Sequence, residues 1–362
     1  MHRARTAETG EHEVTRIAAA VDDIAEDFAG KTLVLGGGRG FLGRYFTAVF
    51  DRLNREHLSR PCKLIVLDNL ITTHEEGPAP PSSEHYRFLE HDVARPLDID
   101  VAPDFVVNAA GIASPYYYRA YPLETLGAAI GGNANLLECA AEHGARFTFF
   151  SSSEIYGDPD PAHLPTPESY RGNVACMGPR ACYDESKRLG ETLCYIYHGH
   201  RGVHTNTIRP FNVYGPGMPE RDYRVLPNFA SSIKGGRAVR IYGGGEQTRT
   251  YCYVSDAMNG FLRVIARGVP GEAYNIGNPH PEISVNGLVG RLGGVLGREM
   301  RSETVDYPDT YPADEPRRRC PDIRKAQLQL GYEPVVELDE GLRRFLEWTE
   351  RAYSGEPASD GA

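Results

Sequence analysis

The sequence predicts an α/β fold in which a parallel sheet carries helices on both faces. From Lys31 onward, short apolar runs typical of buried strands alternate with longer segments of helical character. Four of these runs are KTLVLGG, CKLIVLDN, PDFVVNAAG and ARFTFFSSS. Strands that are separated by helical segments favour parallel pairing, with both faces of the sheet covered by helices.

The order of these patterns divides the chain into four predicted segments. Residues 1–29 form a helical extension, and residues 30–208 contain the alternation of strands and helices. Residues 209–351 mainly form a smaller C-terminal lobe, because the alternation weakens there and loops rich in Gly, Pro, Tyr and Arg are suited to close over a ligand. We expect residues 352–362 to be a disordered tail. The extension has apolar residues at helical spacing: Val14, Ile17, Val21, Ile24 and Phe28.

The composition excludes several classes of function. The 362 residues have a formal net charge of -10, which argues against a nucleic-acid partner. We find neither an apolar run approaching the roughly 20 residues of a membrane span nor a secretory signal. The seven cysteines have no CxxC spacing, which is typical of a reducing cytoplasm and indicates neither a disulfide framework nor a metal site. We therefore expect a cytoplasmic protein whose partner is a small molecule.

A glycine-rich turn follows the first predicted strand. Gly37, Gly40 and Gly43 have GxxGxxG spacing, with Phe41 and Leu42 between the last two. Glycines at a strand-to-helix turn allow a tight bend and let backbone amides approach a pyrophosphate, whose charge the helix N-terminus also favours. Alone, this turn could be a mere flexible connection. In this position it predicts a Rossmann domain that binds a dinucleotide.

The strands that follow supply further cofactor positions. Asp68, which is followed by Asn69, ends CKLIVLD about 25 residues beyond the last motif glycine, where an acid can bind the adenosine ribose hydroxyls. That acid favours NAD over NADP. Two more pairs follow short extended segments and complete the predicted cofactor contacts: Asp92 with Val93, and Ala109 with Ala110.

A tyrosine and a lysine stand four residues apart in a predicted helix. Tyr183 and Lys187 lie in ACYDESKRLGETL, so both side chains share one face. The ordinary pKa of tyrosine is about 10, and a nearby ammonium together with a positive nicotinamide ring would favour the phenolate. Tyr183 is therefore a predicted general base, and Lys187 is also predicted to hold the cofactor ribose. The alternative is a chance YxxxK pair on a surface helix.

Hydroxyl groups follow the strand ARFTFF in the segment SSSEIYG, at a strand end where α/β sheets bind ligands. Together with the glycine motif, the YxxxK pair, RPFNVYGPG and QTRTYCYVSD, this segment resembles the extended short-chain dehydrogenase/reductase family of sugar-nucleotide epimerases, dehydratases and decarboxylases. The resemblance covers residues 31–348. It implies a doubly wound Rossmann sheet with a smaller C-terminal substrate-binding lobe, NAD as the cofactor, and a homodimer.

Within that family, the residues after the strand discriminate between reactions. The 4,6-dehydratases have a TDE-like pattern with an Asp acid, whereas Ser153 occupies that position here. Ser152, Ser153 and Glu154 are more similar to the TSE-like element of UDP-glucuronate decarboxylases, and simple 4-epimerases usually lack an acid at the position of Glu154. The resemblance thus implies NAD-dependent decarboxylation of UDP-glucuronate to UDP-xylose through a 4-keto intermediate.

The same resemblance implies the remaining substrate contacts. Arg319 matches an arginine that faces the substrate carboxylate in the decarboxylase group, and a guanidinium can bind a carboxylate through two hydrogen bonds. The alternative is that Arg319 belongs to a solvated surface run with Arg317 and Arg318. The other substrate-binding residues that we expect are Tyr118, Asn212, Arg224, Tyr242 and Arg249.

Three other functions stay open at this point. A 4-epimerase of UDP-glucuronate or another nucleotide sugar needs the same oxidation at C4 but rotates the keto intermediate instead of decarboxylating it. A 4,6-dehydratase is less favoured because Ser153 replaces its acid. A non-catalytic dinucleotide sensor is also less favoured, since it has no need of the Tyr183 and Lys187 pair.

Overall fold

The computed structural model describes residues 2–73, 77–306 and 316–356. Its strands are β1 (Thr32–Gly36), β2 (Lys63–Asp68), β3 (Tyr86–Glu90), β4 (Phe105–Asn108), β5 (Arg146–Phe150), β6 (Thr205–Pro210), β7 (Val213–Tyr214), β8 (Val239–Tyr242), β9 (Thr248–Arg249), β10 (Cys252–Tyr253), β11 (Ala273–Ile276), β12 (Ile283–Ser284), β13 (Ser302–Val305) and β14 (Arg318–Arg319). Its α-helices are α1 (His2–Ala20), α2 (Asp22–Ala25), α3 (Phe41–Glu56), α4 (Pro115–Ala120), α5 (Pro122–His143), α6 (Ala181–Arg201), α7 (Val225–Lys234), α8 (Val254–Arg267), α9 (Val285–Leu296), α10 (Arg324–Leu330) and α11 (Leu338–Ala352). Short 3-10 helices span Glu26–Phe28, Ser153–Tyr156, Pro161–His163 and Glu220–Asp222.

Seven strands form one parallel sheet in the order β11-β6-β5-β4-β1-β2-β3, which confirms the predicted doubly wound fold. Successive side chains of a strand point to opposite faces, and β1 shows this directly. Leu33 and Leu35 pack in one apolar core, whereas Val34 packs in the core on the other face. The chain reverses its direction of winding between β1 and β4, so a crevice opens at the carboxyl ends of these strands.

The N-terminal extension packs on the body of the protein. Helix α1 contacts α3, α8 and α11, and the five apolar residues of the predicted helical pattern are all buried. Two ion pairs fix the end of the extension on α8: Asp23 accepts from Arg263 at 2.7 Å, and Asp27 accepts from Arg267 at 2.6 Å. The extension therefore covers a face of α8 that would otherwise be exposed.

Only part of the C-terminal segment, residues 209–351, forms the smaller lobe, and the rest joins the main sheet and its helices. Strand β11 pairs with β6 at the edge of the main sheet, and α8 packs against β5 and β6. The remainder builds a smaller lobe from α7, α9 and short strand pairs, including β8 with β13 and β9 with β14. No helix in the described part of the chain is long and apolar enough to cross a membrane.

The prediction of a disordered tail from residue 352 is wrong for its first residues. Tyr353 is buried, and its hydroxyl donates to Met218 O at 2.8 Å. The amides of Ser354 and Gly355 both donate to the carboxylate of Glu220 at 2.8 Å. These hydrogen bonds fix residues 353–355 on the body of the protein. Residues 357–362 of the predicted tail lie outside the described residues.

Candidate active site

One cleft of about 940 Å³ lies at the carboxyl ends of the sheet strands, between the sheet and the smaller lobe. Every site residue expected from the sequence lines it. On the cofactor side these are Gly37, Gly40, Phe41, Leu42, Gly43, Asp68, Asn69, Asp92, Val93, Ala109 and Ala110. Near the sugar they are Ser152, Ser153, Glu154, Tyr183, Lys187 and Arg319, and further along the cleft Tyr118, Asn212, Arg224, Tyr242 and Arg249.

The glycine turn forms a cradle that admits no side chain at two of its positions. Gly37 has φ of 81°, and a Cβ there would lie 2.7 Å from the Ala109 backbone. A Cβ at Gly43 would lie 2.2 Å from Gly37 O, so α3 packs directly on the turn. Gly40 precedes α3, and a Cβ there would meet no protein atom closer than 3.6 Å. The helix N-terminus therefore faces the cleft with backbone amides, as a pyrophosphate requires.

Backbone amides hold Asp68 at the adenosine end of this cradle. Its Oδ2 accepts from Arg39 N at 2.8 Å, and its Oδ1 accepts from Leu70 N at 2.9 Å. Each carboxylate oxygen keeps a further lone pair, which suits the two hydroxyls of a ribose. The Asp92 carboxylate is fixed in a similar way by Ala94 N at 2.9 Å. The residues present therefore fit an NAD molecule along this side of the cleft.

Tyr183 and Lys187 lie in the first turns of α6 and share the face that their spacing predicts. The Tyr183 ring stacks on Tyr118, with ring centroids 5.3 Å apart and 16° between the planes. Lys187 Nζ donates to Phe150 O at 2.8 Å and lies 5.6 Å from the centroid of the Tyr183 ring. The end of β5 therefore fixes Lys187 next to the tyrosine.

Burial governs the protonation of both groups in the protein alone. It raises the pKa of Tyr183 to about 12, and a hydrogen bond with the Ser152 hydroxyl opposes this rise only in part. It also lowers the pKa of Lys187 to about 8. The neutral phenol is thus the stable form of Tyr183 until a further positive charge lies beside it, so the expected phenolate depends on the oxidised nicotinamide ring.

Ser152, Ser153 and Glu154 follow β5 at the floor of the cleft. The Ser152 Oγ accepts from Glu154 N at 3.2 Å, which caps the short helix Ser153–Tyr156. This cap fixes the direction in which the chain leaves the strand. It holds the Ser152 hydroxyl beside Tyr183 and directs Glu154 toward β14.

Two guanidiniums enclose the carboxylate of Glu154. Arg319 donates from Nη1 to Oε1 and, at 2.7 Å, from Nη2 to Oε2, while Arg180 also donates to Oε2. Burial alone would raise the pKa of Glu154, but the charges of Arg180 and Arg319 outweigh it and lower that pKa to about 2. Arg319 is 3% exposed, which rules out the solvated surface run. The predicted carboxylate clamp already binds one carboxylate of the protein.

Sequence reasoning missed Arg180 and Asp184, which flank Tyr183 in PRACYDESK. Arg180 Nε lies 3.4 Å from Asp184 Oδ2, so Arg180 bridges Asp184 and Glu154. Asp184 is 5% exposed; burial, and then the charge of Glu154, raises its pKa to about 7. The available signal was the i,i+4 spacing of an acid and a base across the start of the catalytic helix.

The far end of the cleft is rich in donors. Arg249 and Arg319 are partners in the register of β9 with β14, so their side chains leave the same face of this small sheet. Arg224 Nη2 donates to Asp222 Oδ2 at 2.7 Å, and Asn212 Nδ2 donates to Thr250 O at 2.9 Å. These positively charged and amide groups suit the oxygens of a diphosphate and a ribose.

Two tyrosines at this end were also missed. Tyr116 and Tyr223 line the cleft, and their rings lie 4.4 Å apart between α4 and the loop before α7. Tyr223 has φ of 65°, a left-handed conformation that is unusual for an aromatic residue. The sequence contains 21 tyrosines, and no motif marks Tyr116 or Tyr223 as a residue of the cleft.

The fold and the cleft together define a dinucleotide-dependent enzyme of hydroxyl oxidation, with a tyrosine and a lysine on one helix beside a strand-end serine. The chain belongs to the NAD dependent epimerase/dehydratase family, whose sequence profile matches residues 33–277. NAD is accordingly its cofactor.

Three known proteins show how this chain relates to others of the family. UDP-glucuronic acid decarboxylase 1 of Xenopus tropicalis is 39% identical over 322 residues, which cover 88% of this chain and 72% of that protein. UDP-glucuronic acid decarboxylase 3 of Arabidopsis thaliana is 38% identical over 312 residues, or 86% of each chain. A solved UDP-glucose 4-epimerase of Thermotoga maritima is 26% identical, with a TM-score of 0.74 over 89% of this chain and 99% of that one.

Proposed function

We propose that this protein is a UDP-glucuronate decarboxylase that forms UDP-xylose through a 4-keto intermediate. The observation that carries the proposal is the pair of guanidiniums, Arg180 and Arg319, that enclose Glu154 beside Tyr183. Two guanidiniums beside one acid can hold a further carboxylate, because Arg319 retains a buried Nε that donates to no group among the described residues. The decarboxylases of frog and plant similar to this chain support the same reaction.

The first step that this geometry supports is oxidation at C4 of the sugar. When bound, NAD supplies a hydride acceptor at C4 and returns the hydride at the end of the cycle. Tyr183 takes the proton of the C4 hydroxyl, and the Ser152 hydroxyl orients both groups through its hydrogen bond with Tyr183. Lys187, which donates to the Phe150 carbonyl, would bind the cofactor ribose and keep positive charge near the phenol.

The second step is loss of carbon dioxide from the 4-keto sugar. The ketone at C4 is β to the carboxylate, so the bond between C5 and the carboxyl carbon breaks and its electron pair moves into an enolate. In this proposal Arg319 and Arg180 hold the carboxylate for this step, and protonation at C5 is assigned to Glu154 and Ser153, which line the same cleft. The whole cycle is redox-neutral and consumes one proton.

A 4-epimerase is the second candidate, because the Thermotoga maritima epimerase has the same fold over most of both chains. Its reaction requires the same oxidation, but the keto sugar rotates and keeps its carboxylate. The arginines around Glu154 argue against an epimerase of a neutral sugar, which has no use for a carboxylate clamp, and the product of the reaction separates decarboxylation from 4-epimerisation of UDP-glucuronate.

One incubation separates the two candidates. We would mix the purified protein with UDP-glucuronate and NAD, follow carbon dioxide release, and identify the nucleotide product by mass and NMR. We expect stoichiometric carbon dioxide and UDP-xylose, and a rate lower by about 10² to 10⁴-fold from the Tyr183→Phe variant. An isomer of unchanged mass without carbon dioxide would overturn decarboxylation in favour of 4-epimerisation.

We also propose a homodimer in the cytoplasm. Helix α6 exposes apolar side chains: Leu189 at 43%, Tyr195 at 75% and Ile196 at 41%. Leu189 and Ile196 are two helical turns apart on one face, which supports pairing of α6 with a second copy. Free cysteines such as the buried Cys194 and Cys252 support a reducing compartment.

A further inference from the structure

Asp184 has no part in the steps above, yet its surroundings are unusual for a carboxyl group. It lies on α6 behind the cleft and is 5% exposed. Its Oδ2 lies 3.4 Å from Arg180 Nε, and its Oδ1 is buried with no hydrogen-bond partner among the described residues. A buried carboxylate oxygen without a donor is costly, whereas a protonated one is far less so.

The groups around Asp184 form one buried cluster. Tyr183 on α6 and Arg180 at the N-cap of α6 are near it, as are Glu154 on the short helix after β5 and Arg319 on β14. With all groups ionised, the two carboxylates of the ion-paired cluster balance its two guanidiniums and Tyr183 is neutral, while Arg249 on β9 adds a more distant positive charge that acts on Glu154. The negative charge of Glu154 already raises the pKa of Asp184. A third carboxylate held by the same arginines would act in the same direction.

We propose that Asp184 takes up a proton when UDP-glucuronate binds, so that the cluster stays neutral while Arg180 and Arg319 hold both Glu154 and the sugar carboxylate. Asp184 is in this role a positioning residue, because it acts on the substrate through Arg180. The inference rests on the proposed function, which brings the sugar carboxylate to Arg319. A ligand with a neutral sugar leaves Asp184 as it is.

Arg319 lines the cleft and keeps one donor that no protein group uses among the described residues. Both of its Nη atoms donate to Glu154, but its Nε is buried with no hydrogen-bond partner among the described residues. A donor left over in a dry site indicates an acceptor that arrives with the ligand. The acceptor that a uronate brings carries a full negative charge, and that charge needs compensation.

Proton uptake at binding matches the proton requirement of the reaction. When carbon dioxide leaves, the electron pair of the broken bond remains on the sugar and C5 gains one proton. The sugar carboxylate is then gone, so Asp184 again faces a balanced cluster and gives up its proton. The total charge of the site therefore stays constant through decarboxylation, and no group in it has to hold an uncompensated charge.

The test is calorimetric titration of the NAD-bound protein with UDP-glucuronate, in buffers of one pH but different heats of ionisation. The Tyr183→Phe variant slows turnover, and because it also removes the phenolate expected beside oxidised NAD, both ligands are compared in this same variant. UDP-glucose is the matched ligand, since it differs from UDP-glucuronate only in having a neutral hydroxymethyl group in place of the carboxylate. With the pKa of free Asp184 near 7, we expect uptake of about half a proton at pH 7 for UDP-glucuronate only.

The pH dependence gives a second measurement. Uptake should grow from pH 6 to pH 8, because free Asp184 loses its proton over this range while bound Asp184 keeps it. The Kd of UDP-glucuronate should then rise about threefold to fivefold from pH 7 to pH 8, while that of UDP-glucose changes by less than about twofold. Asp184→Asn should abolish the difference between the two ligands.

Equal proton uptake with both ligands would overturn the inference, and so would uptake that persists in Asp184→Asn. If that variant does not fold, the comparison of the two ligands still decides. Carbon dioxide release by the native protein without proton uptake at binding would overturn the role of Asp184 alone. Proton uptake with UDP-glucuronate together with an isomer of unchanged mass as product would overturn decarboxylation but not the proton uptake by Asp184. Failure of UDP-glucuronate to bind would overturn both the proposed function and the role of Asp184.

Discussion

Arg319 donates to both carboxylate oxygens of Glu154, so a residue of the smaller lobe and a residue at the end of β5 form one buried ion pair across the cleft. Removal of Arg319 leaves Glu154 with Arg180 as its remaining guanidinium. We expect Arg319→Met to lower the free energy of unfolding by about 3 kcal/mol, because it leaves a buried carboxylate poorly compensated. Urea unfolding would measure the loss.

The matched control for this prediction is the double variant Glu154→Gln with Arg319→Met. Removal of both partners leaves no uncompensated charge from the pair, so the double variant should recover part of the stability that Arg319→Met loses. Strictly additive effects of the two substitutions would show that Glu154 and Arg319 do not interact as the geometry indicates.

Removal of the Tyr183 hydroxyl tests the proposed base. We expect Tyr183→Phe to lower kcat by about 10² to 10⁴-fold, since the C4 proton then has no acceptor at the right place. The aromatic stack with Tyr118 should remain, because Phe keeps the ring. The bound NAD content of the variant is the control, and it should equal that of the native protein. A loss of bound NAD in parallel with activity would assign Tyr183 to cofactor binding instead.

The stability of the protein in acid should depend on Glu154. Its pKa in the folded protein is lowered to about 2 from an ordinary value of 4.5, so its contribution to stability is present above pH 4.5 and is lost as pH falls toward 2. Urea unfolding at pH 5 and pH 3 should therefore show a smaller loss for Glu154→Gln than for the native protein. An equal loss would contradict the assigned ion pair.

Asp184 should show the opposite sign. Its pKa is raised to about 7 in the folded protein, so the native state holds a proton that the unfolded chain has lost, and stability declines as pH rises from about 4 toward 7. Asp184→Asn removes this decline. Relative to the native protein, the variant should gain stability between pH 5 and pH 7, and a constant difference in the free energy of unfolding would contradict the raised pKa.

The strands and motifs that the sequence predicts correctly are those whose signal is local. β1, β2, β4 and β5 are continuous apolar runs, and the glycine turn and the YxxxK pair are fixed by spacing within one turn or one helix. The edge strand β11 could not be assigned to the main sheet, because only its pairing with β6, far away in sequence, puts it there. Tyr353 and the bridge from Asp184 through Arg180 to Glu154 depend on such distant contacts as well.

Two glycines of the turn have different predicted roles: Gly43 is needed for the packing of α3, and Gly40 for the binding of NAD. A methyl group at Gly43 would lie 2.2 Å from Gly37 O, whereas one at Gly40 would have 3.6 Å to the same atom. We expect Gly43→Ala to lower the melting temperature, since α3 must move off the turn. Gly40→Ala should keep the native melting temperature without cofactor but bind NAD at least about tenfold more weakly, because the methyl group holds the pyrophosphate away from the amides. Equal effects of both substitutions on NAD binding and stability would contradict this division.

The exposed apolar face of α6 predicts the oligomeric state. We expect the native protein to have twice its chain mass of 40.0 kDa in sedimentation, and Ile196→Asp to reduce the mass to one chain. A charge placed in an apolar contact must be desolvated without a partner, which outweighs the gain from the remaining contacts. Leu328→Asp is the matched control, because Leu328 is 86% exposed on α10, away from α6. A native protein of one chain mass would overturn the dimer, and dissociation by Leu328→Asp would move the interface to another face.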